Sequence, residues 1–137
     1  MTEQQEAFLE GVFTNYVKYK GPERLTQDEW NLQAIESYYF LQYLTTNRFG
    51  DILLKEEYKN QVEFALIGIS DLDFELAKRR KIAGVNMGIK SESVKSHSIT
   101  YDSVQELADD WEKQAHQDKV ELAQRYLLST GIFYRGM

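Results

Sequence analysis

The side chains that could do chemistry are few, and their spacing does not favour catalysis. The chain has two histidines, His97 and His116, and no cysteine. Disulfides and thiolate metal sites are therefore excluded, which fits a reducing compartment. The histidines have no mutual spacing that makes a ligand pair. His116 follows Glu112 by four residues, a common pattern on a solvated helix face. Carboxylates pair at Glu56–Glu57, Asp71/Asp73 and Asp109–Asp110. Nothing around them marks one member as an acid and the other as a base. There is no glycine-rich phosphate loop, nucleophile elbow or HExxH pattern. An enzyme would have to be built around His97, Tyr101 and a nearby acid. No enzymatic activity, cofactor or metal is expected. The one basic run is "KRRK", Lys78 to Lys81. It could touch phosphates. Its placement in the last turn of an expected helix instead suggests that it complements the macrodipole.

The elements that carry these residues read as helical. Thr2 with Gln5, Thr26 with Glu29 and Ser103 with Glu106 each fit the capping box that opens a helix. Helices are expected over about Glu3–Tyr16, Gln27–Arg48, Leu54–Lys81 and Val104–Ser129. Asp51 is the best available cap for the third, and Gly131 sits where a left-handed residue would close the last. The third helix carries two apolar stripes. One runs through Tyr58, Val62, Ala65, Leu66, Ile69, Leu72 and Leu76; the other holds Phe64, Ile67 and Phe74. A helix apolar on two sides is buried between neighbours. The neighbours are either the chain's own core or a second subunit, so Phe64, Ile67 and Phe74 are candidate subunit contacts. The second helix has a similar excess in "SYYFLQYL", Ser37 to Leu44, which reads as aromatic core packing with hydroxyls at the rim.

The helical period lapses between Ile82 and Asp102. Gly84 and Gly88 interrupt it, and "SVKSHSITY" alternates in part at Val94, Ile99 and Tyr101. A long loop with a β-hairpin is expected over 82–102, longer than an ordinary connector. The 137 residues form one domain with no internal repeat. The fold class is all-α: a small bundle of about four helices, with that loop or hairpin inserted before the last. The formal net charge of -6 argues against a general nucleic-acid binder. The opening "MTEQQEAFLE" does not read as a secretory signal, and no apolar run reaches membrane-spanning length. The closing stretch 130–137, with Ile132, Phe133, Tyr134 and Arg135, is unusually adhesive. It either folds back on the core or reaches toward another chain. From the residues alone this is the profile of an interaction or assembly protein, and a small helical regulatory or scaffolding protein binding one partner fits it.

Three segments carry a more specific likeness. "LTTNRFGD", Leu44 to Asp51, is similar to the Leu-Thr-x-Asn-Arg pattern that ends the second helix of the head–tail connector, or adaptor, proteins of long-tailed bacteriophages and prophages. "IKSESVKSHSITYD", Ile89 to Asp102, resembles that family's Ser-Glu-hydrophobic stretch followed by a Ser-Val/Ile-x-Tyr strand. "AQRYLLSTGIFYRGM", Ala123 to Met137, resembles its closing Tyr-Leu-x-x-Thr-Gly-Leu-x-Tyr-Arg-Gly signature. Order and spacing agree from about Leu44 onward. Lys95-Ser96 stands where the family often has glycine, and Phe133 is bulkier than the usual aliphatic residue.

The resemblance implies a structural role in the virion neck, with the chain in the host cytoplasm before assembly. Such proteins form a ring, commonly of twelve subunits, beneath the portal protein. They extend the channel through which genomic DNA passes, and they dock the next head-completion (stopper) or tail protein. Carried onto this sequence, the portal-docking tail is Ile132, Phe133, Tyr134, Arg135 and Gly136. Contacts to the next ring or the channel fall to Lys90, Ser91, Glu92, Lys95 and His97. No membrane contact is implied.

Overall fold

A computed structural model describes the backbone of residues 1–93 and 97–132, and the side chains of 1–82 and 109–132. The chain is all-α. Its helices are α1 (Glu3–Gly11), α2 (Phe13–Lys20), α3 (Gln27–Leu44), α4 (Phe49–Ile52), α5 (Lys59–Ser93) and α6 (His97–Leu127), with 3-10 turns at Glu56–Tyr58 and Leu128–Thr130. No strand occurs among the described residues. Among them, no helix is long and apolar enough to cross a membrane.

Two of the three expected capping boxes are formed. The Thr2 hydroxyl accepts from the Gln5 amide at 3.1 Å, and the Gln5 side chain accepts from the Thr2 amide at 3.0 Å. Thr26 and Glu29 repeat the arrangement at 3.2 and 2.9 Å. The Thr26 amide, with the Thr26 hydroxyl beside it, holds the Glu29 carboxyl below its ordinary range. The side chains of the third box, Ser103 and Glu106, lie outside the description.

The first expected helix is divided at Gly11–Val12 into α1 and α2. Glycine stabilises a helix poorly, yet Leu9, Val12 and Tyr16 stay buried on one face across the break. α3 ends earlier than expected, at Leu44. The Thr45 hydroxyl donates back to the Leu41 carbonyl at 2.7 Å and accepts from the Phe49 amide at 2.9 Å, so it competes with continued helix. Thr46 and Asn47 then take left-handed backbone, with φ of 57° and 65°. Asp51 is not a helix cap: it lies inside α4, which buries Phe49 and Ile52. α5 is entered instead through the 3-10 turn after Lys55.

α3 and α5 cross where side chains are small and polar groups are matched. Ser37 and Ser70 are buried and share a hydrogen bond at 2.8 Å. Trp30 is fully buried, and its indole N–H donates to the Leu9 carbonyl at 2.8 Å, fixing α1 to α3. α5 and α6 run antiparallel. Phe64 meets Tyr126, Gly68 meets Leu122, Asp73 pairs with Lys119 and Arg80 pairs with Glu112, descending one helix as they climb the other. With α1 and α2 as one bent rod, the bundle has the four long helical members expected. Helix covers both described flanks of the expected hairpin, through Ser93 and again from His97. The turn of that hairpin, Lys95-Ser96, lies outside the described residues.

Candidate functional site

The closing segment is rooted in the chain's own core. Gly131 takes φ of 81° and caps the last turn, as expected from its position. That turn swings Ile132 inward, where it is only 7% exposed and joins the hydrophobic core. Its carbonyl accepts from Arg48 Nη1 at 3.2 Å. Arg48 and Ile132 belong to the first and third of the segments singled out in the sequence. The short turn after α3 therefore holds the root of the closing segment. Ile132 is a core residue in this structure and offers no side-chain surface for docking. Phe133, Tyr134, Arg135 and Gly136 lie outside the described residues, as do Lys95 and the side chains of Lys90, Ser91, Glu92 and His97.

The second stripe of α5 is largely used within the chain. Ile67 is 3% exposed and part of the core, so its assignment to a subunit contact is corrected. Phe64 is half-covered, with its ring 5.6 Å from those of both Tyr19 and Tyr126. Phe74 packs against the core beneath the Arg24 guanidinium, 5.5 Å from its ring centre. The neighbours that cover this stripe are α2, the α2–α3 turn and α6.

Excess apolar surface appears instead on α3. Trp30, Ala34, Ser37, Tyr38 and Leu41 form its buried side. Leu32, Tyr39 and Tyr43 are 70, 54 and 80% exposed. At 100° per residue they share one stripe with Glu36, opposite the buried one. The expectation of core packing in "SYYFLQYL" holds for Tyr38 and Leu41 but not for Tyr39 and Tyr43. The signal was the spread of aromatics around the helix; which side faced outward depended on α1 and α5.

The acid pair Asp71/Asp73 is divided between two clamps. Asp71 accepts from the Tyr16 hydroxyl at 3.2 Å and from Arg24 at 3.1 Å, with Lys20 Nζ at 3.8 Å. Arg24 also pairs with Glu75, whose carboxyl is held below its ordinary range by that bond. Burial, reinforced by the Asp71 charge, pushes the Tyr16 hydroxyl far above the usual tyrosine range. Tyr16 therefore remains a neutral donor at physiological pH. Asp73 accepts from Lys119 at 3.0 Å and from Gln33 at 2.8 Å. Each carboxylate is occupied in joining helices, and neither is placed as a free acid or base. His116 is exposed, with its ring edge-on to Phe40 at 5.9 Å.

An open cleft of about 290 Å³ lies beside the Asp71 clamp, where Lys20 and Arg24 meet Phe74 and Lys78. Lys78 opens the "KRRK" run. Because α5 continues to Ser93, this run is not in a terminal turn, and the macrodipole does not account for it. Among the described residues, no group of three or more His, Asp or Glu side chains is placed to hold a metal ion. No family model, curated protein or solved structure matches this chain.

Proposed function

We propose that this chain is a head–tail adaptor of a long-tailed bacteriophage or prophage. In this reading it forms a ring under the portal, extends the DNA channel and presents a surface to the next head-completion or tail protein. The observation that carries the reading is the Arg48–Ile132 junction. It brings two of the three resembling segments together as a built feature at Ile132, the last described residue. A rooted tail loses less orientational freedom on docking than a free one. Phe133 and Tyr134 serve as anchors in the portal, and Arg135 supplies a directional polar contact. Lys90, Ser91, Glu92, Lys95 and His97 face the next ring or the channel. The net charge of -6 suits a channel through which DNA slides without adhering.

Deletion of the gene tests this in the producing phage. The expected result is DNA-filled heads without tails, rescued by the full chain but not by a chain ending at Ile132. Infectious tailed particles from the deletion strain would refute it. The exposed stripe of Leu32, Tyr39 and Tyr43 also suits a scaffolding protein with a single partner. Portal, capsid and tail genes beside this one would favour the adaptor over that reading.

A further inference from the structure

We infer that α3 of one copy docks against the basic side of α5 in the next, forming the head-to-tail contact of an assembly. This deepens the adaptor reading and rests on it for the ring.

Two exposed surfaces of opposite character support the pairing. The first is the outer stripe of α3: Leu32, Glu36, Tyr39 and Tyr43. The whole of α3 contains Asp28, Glu29 and Glu36 and no Lys, Arg or His. The second lies on α5, where Phe74, Lys78, Lys81 and Ile82 share a face at helical spacing. Lys78, Lys81 and Ile82 are exposed, and Lys20 and Arg24 reach the same face at the cleft. The α3 stripe pairs apolar area with an acid; the α5 face pairs it with a basic excess carried by Lys78 and Lys81, since Glu23 also lines the cleft and Lys20 and Arg24 are paired with Asp71.

Sign decides which pairing forms. Two α3 stripes laid together would set acid against acid, and two α5 faces would set cation against cation, each unfavourable. Only α3 against α5 matches both the charge and the apolar area. Such a contact uses different patches on the two partners, so it propagates into a ring or a filament instead of stopping at a dimer. It also gives Lys78 and Lys81 a role that the macrodipole does not.

Sedimentation velocity of the full chain over rising concentration tests this, with urea unfolding curves confirming that each variant is folded. The expected result is concentration-dependent association that weakens as salt is raised. Glu36→Lys, or Lys78→Glu with Lys81→Glu, should each weaken it by roughly tenfold, from loss of a cross-interface attraction and its replacement by repulsion. Mixing the two variants should restore association in strict alternation, because the unaltered α3 and α5 faces match across one contact and the two charge-reversed faces match across the next. Combining all three substitutions in one chain should restore association. A single-copy species at every concentration, or an unaffected Glu36→Lys chain, would overturn the proposal. So would Lys78 and Lys81 substitutions that change only affinity for duplex DNA, since the basic face would then serve a polyanion. If association fails but the chain still seats on the portal, only this contact is lost and the adaptor reading stands. Association without portal docking would have the opposite meaning.

Discussion

Gly68 should be a position where the smallest possible enlargement is harmful, and Leu122 should be the reason. An ideal Cβ at Gly68 would lie 2.9 Å from Leu122 Cδ2 and 3.1 Å from its Cγ, and nearer still to Cδ1. The glycine therefore sets how closely α5 and α6 approach. Gly68→Ala gains about 1 kcal/mol from helix propensity. Overpacking at the contact costs about 1–3 kcal/mol. The net is a destabilisation of about 0–2 kcal/mol, or up to ~6 °C in Tm for a domain of this size. Leu122→Ala removes the obstructing atoms, so in that background Gly68→Ala should stabilise by up to about 1 kcal/mol. The sign of the substitution reverses, with a coupling of about 1–3 kcal/mol in a double-mutant cycle read by urea unfolding. Effects that add to within about 0.5 kcal/mol would refute the close approach of the two helices.

Arg48→Ala should cost about 1–2 kcal/mol, because the partly buried Ile132 carbonyl loses a charged donor. Hydrogen exchange should rise most at residues 128–132. A chain ending at Ser129 loses a buried isoleucine and about 2–4 kcal/mol. Tyr16 titrates above its ordinary value of 10.0 in the fold, so its contribution is complete below that pH and is lost as pH rises beyond it. Tyr16→Phe should flatten this alkaline loss in unfolding curves measured across pH. Glu75 has the opposite sign: it is depressed below its ordinary 4.5, so its contribution is present above that pH and is lost as pH falls through the depressed value. Glu75→Gln should flatten the acid limb of the same curves.

What the sequence disclosed follows from the range of the interactions involved. The caps at Thr2 and Thr26 and the left-handed Gly131 depend on neighbours three or four residues away, and they were legible. The end of α3 was not, because one hydroxyl, that of Thr45, outweighed a helical pattern running through Arg48. The outward side of α3 and the covering of Ile67 depend on how α1, α2 and α6 pack, which no single helix encodes. The Arg48–Ile132 bond joins distant parts of the chain, so the sequence alone could mark its two ends but not their contact. The acid pair was visible as a pattern, yet its division into two structural clamps required Tyr16, Arg24, Gln33 and Lys119 from other elements.

Cryo-EM of the purified chain mixed with its cognate portal tests the central claim most directly. The adaptor account predicts a closed ring of this chain under the portal, sharing its axis, with residues 133–137 seated in the portal and Ile132 still held at Arg48. Portal particles with no added ring, at concentrations of the chain well above those of the portal, would contradict it.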